Sequence, residues 1–118
     1  MTHMVLPQFA NNHGNAFGGQ IMAWVDICAA IAAQRLCRAD VVTASIDAVH
    51  FIAPVKAGQV VILRSQVNAV FRTSMECGVK IYAEHRGSGA RSHVASAYLT
   101  FVALDSDTGT PRPVAPII

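Results

Sequence analysis

The sequence predicts an α+β domain in which one long central helix is wrapped by a curved antiparallel sheet of about five strands. Three observations predict it. A single helical stretch, about Gly19 to about Cys37, is apolar on nearly every side, and such a helix is one enclosed by other structure. From Val41 to Leu104 the texture is that of four successive strands. The connections between them are mostly short, which argues for antiparallel neighbours. A lone helix is covered by such a sheet only if the sheet curls around it.

Bulk composition agrees with one domain spanning residues 1–118. The 118 residues are too few for two well-cored units. Hydrophobic residues make up 53% and charged residues 14%, which excludes a disordered chain. So few charges leave apolar surface for a second subunit to cover. The net charge of +2 is spread over scattered Lys and Arg, so the basic stripe of a nucleic-acid binder is missing. Cys28, Cys37 and Cys77 are odd in number and widely spaced. That fits reduced core thiols of a cytoplasmic protein better than a disulfide framework, and no zinc spacing occurs. Met1–Met4 has no signal-peptide character. The longest apolar run, Ile21–Ala33, is broken by Asp26 and is shorter than the roughly 20 residues that cross a bilayer. No membrane insertion is expected.

In chain order, residues 5–10 suggest a short edge strand limited by Pro7. Asn11–Gly19 is turn chemistry. The helix carries only Gln20, Asp26, Gln34 and Arg35 as clearly polar members. Val41–Phe51 is rich in β-branched residues, and Pro54 and Gly58 bracket a turn. Gln59–Phe71 alternates, as does Met75–Glu84, with Met75, Cys77, Val79, Ile81 and Ala83 pointing in. Arg72-Thr73-Ser74 is a short connection, Gly87-Ser88-Gly89 marks a hairpin loop, and His93–Leu104 is the last strand. Residues from about 105 to 118, with three prolines, read as a loose tail. This order of elements is that of the hotdog fold.

The stretch Asn11-Asn12-His13-Gly14-Asn15-Ala16-Phe17-Gly18-Gly19-Gln20-Ile21-Met22-Ala23-Trp24-Val25-Asp26 resembles the motif of the hotdog acyl-CoA thioesterases. In these, N-x-x-G-x-x-F/H-G-G leads into a helix bearing an acidic residue. The likeness continues through Val42–Asp47, Pro54–Gly58 and Thr73–Glu76, so it covers roughly residues 5–104. It is similar above all to one repeat of the cytosolic acyl-CoA hydrolases that carry two such domains in tandem. The resemblance implies that Asp26 is the catalytic carboxylate. It implies that Asn15, or by second choice Asn11, assists from a neighbouring domain by polar positioning. It implies that the turn Arg72-Thr73-Ser74 lies near CoA. No metal or redox cofactor is implied, since CoA enters as part of the substrate. The expected assembly is a homodimer or trimer of dimers with interfacial sites.

Physical chemistry gives the same residues a rationale. Thioester hydrolysis needs a nucleophile or an activated water, and donors for the oxyanion. A helix N-terminus presents unpaired N–H groups, and Gly18 and Gly19 keep side chains out of a carbonyl's way. Asp26 follows about two turns on, ~10 Å along the axis, so a substrate lying along the helix is expected to meet both. Plainer readings exist for each residue. A lone Asp in an apolar helix is usually a structural group. The glycine pair can mark a tight loop-to-helix junction, and Thr73 and Ser74 are ordinary turn residues. His13 fits a substrate-binding or hydrogen-bonding loop residue better than a general base, because no fixed partner is visible. Trp24 is most simply packing, or the lining of an acyl pocket. Two other functions stay open: an enoyl-CoA hydratase-like enzyme using His13 with Asp26, and a non-catalytic acyl-CoA-binding module.

Overall fold

The computed structural model describes residues 1–114. Its elements are β1 (Thr2–Met4), α1 (Gly18–Cys37), β2 (Asp40–Phe51), β3 (Val60–Val70), β4 (Ser74–Glu84) and β5 (Arg91–Leu104). All pairings are antiparallel, and the spatial order is β1-β3-β4-β5-β2. The predicted architecture, one helix against a curled five-strand antiparallel sheet, is the one observed.

The helix starts where the chain turns out of an extended Phe17, whose carbonyl accepts the N–H of Gln20 at 3.1 Å and of Ile21 at 3.2 Å. It stops at Arg38, which takes a left-handed conformation (φ 54°) and donates its N–H to Gln34 O at 2.8 Å. Ile21, Trp24, Val25, Cys28, Ala29, Ala33 and Cys37 are buried. Their three- and four-residue spacing is one stripe, packed on the inner face of the sheet. Phe101, Leu63, Met75, Ile81 and Leu99 fill the space beneath it.

Three expectations need correction. The helix is not enclosed on all sides by its own chain. Ile27 is 51% exposed and Ile31 is exposed too. Apolar residues all round therefore reflect two surfaces, the chain's own sheet and a flank left open. Residues 5–10 do not form a strand. Pro7–Phe9 is a 3-10 turn with the proline in its first turn, where a fixed φ and a missing N–H are tolerated, and the short edge strand lies earlier, at Thr2–Met4. The tail is not loose over residues 105–114. Leu104 bridges Pro111, Val114 N donates to Arg72 O at 2.9 Å, and Val114 is buried. Residues 115–118 of that tail lie outside the described residues.

Candidate active site

The loop before α1 is shaped by Asn11. Its Oδ1 accepts the backbone N–H of His13 at 2.9 Å and of Asn15 at 3.1 Å. Its own N–H donates to Asn15 O, and its carbonyl accepts Gly14 N. An Asn side chain placed this way mimics a backbone turn, and Gly14, at φ 78°, supplies the left-handed step. The loop is then tied down by Ala16 N to Val55 O and Ala57 N to Gly14 O. Asn15 lines a hollow of about 230 Å³ with Gly18, Ile21, Phe51 and Val55.

Gly18 and Gly19 open the helix, and among the described residues their N–H groups donate no backbone hydrogen bond. A Cβ at Gly19 would meet nothing within 4 Å, and one at Gly18 only the Phe51 ring at 3.8 Å. Neither position has a positive φ. Nothing inside the chain demands glycine at 19. What a side chain there would obstruct is something approaching from outside.

Asp26 sits on the open flank of α1, partly exposed, and Thr43 of β2 donates Oγ1–H to its Oδ1 at 2.6 Å. Such a short bond to a carboxylate is charge-assisted and fixes the plane of the group. It leaves Oδ2 free of protein partners among the described residues. Thr43 faces the helix because it pairs with the buried Phe101. After it the register of β2 shifts between Thr43 and Ser45, a bulge of the kind that re-aims neighbouring side chains. Sequence reasoning missed Thr43. A threonine in a strand is ordinary, and only its place in the stretch Val42–Asp47 hinted at more.

One chain does not bring all these groups together. Gly18 is roughly 12 Å from Asp26 along the helix axis, too far for one thioester carbonyl to meet both. Asn15 and His13 stay with the loop, and His13 is exposed. The turn Arg72-Thr73-Ser74 lies at the Asp26 end instead. Thr43, Phe101 and Met75 form one row across the sheet, which puts the turn two strand spacings, roughly 10 Å, from Thr43. Its carbonyls are used structurally: Arg72 O accepts Val114 N, Thr73 O accepts Ala103 N and Ser74 O accepts Phe71 N. Trp24 is core packing, with the His3 ring stacked on it at 4.5 Å and Phe9 edge-on at 5.4 Å.

A helix beginning in free glycine N–H groups, a hydrogen-bonded carboxylate on its open flank and a curled sheet beneath it are the parts of an acyl-transfer hydrolase. Residues 13–90 match the thioesterase superfamily, and the chain belongs to that family. It is 44% identical over 117 residues to an uncharacterised acyl-CoA thioester hydrolase of Bacillus subtilis, covering 99% of this chain and 67% of that protein. It is 46% identical over 105 residues to mouse acyl-coenzyme A thioesterase 11, covering 88% of this chain but 18% of that protein. Among solved structures, the acyl-CoA hydrolase of Staphylococcus aureus superposes with a TM-score of 0.93 at 38% identity, over 100% of this chain and 71% of that one. That enzyme was crystallised with butyryl-CoA, CoA and CoA disulfide, and also with alanine in place of an asparagine, an aspartate or a threonine. The hexameric thioesterase of Yersinia pestis matches with a TM-score of 0.91 at 29% identity, over 99% of this chain and 94% of that one.

Proposed function

We infer that this chain is an acyl-CoA thioesterase, hydrolysing an acyl-CoA to the free acid and CoA. The observation that carries the reading is the Asp26 carboxylate, held by Thr43 on an accessible flank of the helix. The intervals within the Staphylococcus aureus enzyme support it. Its substituted asparagine, aspartate and threonine stand 15 and then 17 positions apart, the spacing of Asn11, Asp26 and Thr43 here.

In the proposed reaction Asp26 Oδ2 takes a proton from water as the water oxygen bonds to the thioester carbonyl carbon. The oxyanion so formed is received by N–H donors of a glycine-led helix start. Collapse breaks the C–S bond, and the proton held by Asp26 passes to the departing sulfur. No metal or redox cofactor takes part in this scheme.

The donors come from a second copy of the chain. β2 is an edge strand. If it pairs antiparallel with the β2 of another copy about its middle, Thr43 of one chain faces the Phe51 end of the other. That end carries the Gly18–Gly19 start and the Asn11–Asn15 loop, since Phe51 lies against Gly18. Hexameric relatives support self-association, and the exposed Ile27 and Ile46 give it apolar surface to bury. In this reading a homodimer, or a trimer of such dimers, has its sites at the interface, and the turn Arg72-Thr73-Ser74 is the segment that meets CoA. An enoyl-CoA hydratase reading is weaker, because the relatives and structural neighbours are acyl-CoA thioesterases and hydrolases. Three separate buried thiols support a cytoplasmic location, and among the described residues no helix is long and apolar enough to cross a membrane.

Two experiments test this. Asp26→Ala should abolish release of CoA from butyryl-CoA while thermal unfolding stays cooperative; retained turnover would remove Asp26 from the chemistry. Mixing inactive Asp26→Ala and Asn11→Ala chains after co-unfolding should restore up to about a quarter of wild-type activity. Half the dimers are then mixed, and each has one complete interfacial site. No recovery would place each site within one chain.

A further inference from the structure

The outer face of the sheet, away from α1, carries a second hollow of about 280 Å³. Ser65 donates Oγ–H to Cys28 O and so faces the helix, and its neighbour Arg64 faces outward. Arg64 stands directly opposite Lys80 across β3 and β4. Two cations in that register repel each other and destabilise the sheet. No carboxylate relieves them, since the one ion pair among the described residues joins Arg91 to Glu84.

The next row explains the hollow. Gly78 lies between Gln66 on one side and Tyr98 on the other. A Cβ at Gly78 would lie 2.6 Å from Asn68 Nδ2 and 3.4 Å from Tyr98 Cε1, so the absent side chain is the floor. Asn68 Oδ1 is occupied by Gln66 Nε2 at 2.9 Å, which leaves its NH2 over that floor as a donor. Arg64, Lys80, Tyr82 and Tyr98 also line the hollow, and none of their polar side-chain atoms makes a hydrogen bond among the described residues. The free groups are almost all donors, and two are charged. Their complement is an oxygen-rich anion.

We propose that this hollow binds a compact phosphate-bearing molecule. The phosphate bridges Arg64 and Lys80, Asn68 donates from above Gly78, and the rest of the ligand lies against Tyr98. The volume is at the lower end of small-molecule sites, so it takes one phosphorylated group and not an entire CoA. The site is separate from Asp26, with the thickness of the sheet between them. Two sources carry such a phosphate, a free metabolite and a CoA reaching in from a neighbouring subunit, and the two give different outcomes below.

The probe is pyrophosphate, titrated calorimetrically into the intact protein at low ionic strength. Wild type is compared with Arg64→Gln, Lys80→Gln and the double variant, whose exposed side chains leave the core untouched; thermal unfolding checks this. Saturable binding should weaken by about tenfold or more for each cation removed, the loss of one charge-assisted contact. Steady-state turnover of butyryl-CoA is measured on the same samples. An unchanged KM assigns the site to a free phosphorylated ligand, and a KM that rises with the loss of pyrophosphate binding assigns it to CoA's own phosphates. The proposal is overturned if wild type shows no saturable binding, or if the double variant binds as well as wild type. It is also overturned if the double variant changes oligomeric mass and the wild type does not bind the probe, because the two cations then serve a neighbouring copy's carboxylates.

Discussion

Replacing Thr43 by valine removes one hydroxyl and keeps the β-branched shape that strand β2 favours. The lost contact is the 2.6 Å hydrogen bond to Asp26 Oδ1. A hydrogen bond to a charged group contributes roughly 1.5–3 kcal/mol, and about 1.4 kcal/mol corresponds to a factor of ten in rate. If that bond holds the carboxylate in its reacting orientation, kcat should fall by about 10- to 150-fold. KM should move little, since Thr43 contacts the carboxylate and not the acyl group. Thr43→Ser keeps the donor and should retain most of the activity. The assay is release of free thiol from butyryl-CoA, with thermal unfolding to show that the fold persists. A Thr43→Val enzyme that turns over within twofold of wild type would refute the orienting role and leave the hydrogen bond a structural detail.

Two further outcomes follow from individual side chains. Gly19→Ala should leave the unfolding temperature unchanged or slightly raised, because the added methyl meets nothing within 4 Å and alanine favours helix; kcat/KM for butyryl-CoA should nevertheless fall about tenfold or more as the methyl shields an oxyanion donor, and unchanged activity would exclude Gly19 from the site. Burial first, and Glu76 second, push the Cys77 thiol up from 9.0 to about 11. The folded state thus favours the neutral thiol, so its contribution to stability is present below pH 9 and lost as pH rises towards about 11. Denaturant midpoints should drop over that window in wild type and drop less in Cys77→Ala; equal losses would mean another group governs alkaline unfolding.

Much of the fold was legible because it rests on periodicity. Alternation in Met75–Glu84 placed Met75, Cys77, Val79, Ile81 and Ala83 inward, and all five are buried. The helix was visible from its apolar run, yet its environment was misread. Hydrophobicity reports that a surface is to be covered and is silent on whether the same chain covers it. Ile27 and Ile31 lie in the run as naturally as Val25 and Ala29, but only the latter two are buried. Pro7 was misplaced for a different reason, because a proline fits the end of an edge strand and the first turn of a 3-10 helix equally well. The tail was misjudged because three prolines suggest looseness, while the bridge from Leu104 to Pro111 depends on partners far away in sequence.

The site shows the same limit more sharply. Asp26 and the glycine pair stand out locally, as a charge in an apolar helix and as a helix start without side chains. Thr43 has no local mark; it matters only because the bulged strand β2 carries its hydroxyl to Asp26 across the helix–sheet gap. The separation of Asp26 from Gly18 is also a consequence of helix geometry, at 1.5 Å per residue, and it holds however the rest of the chain packs. A single carbonyl cannot span it. Activity by a lone chain would therefore require an oxyanion donor beside Asp26 other than the N–H groups of Gly18 and Gly19. In the proposed reaction the open apolar flank and the distance from Asp26 to the glycine N–H groups share one remedy, a second copy of the chain laid against β2.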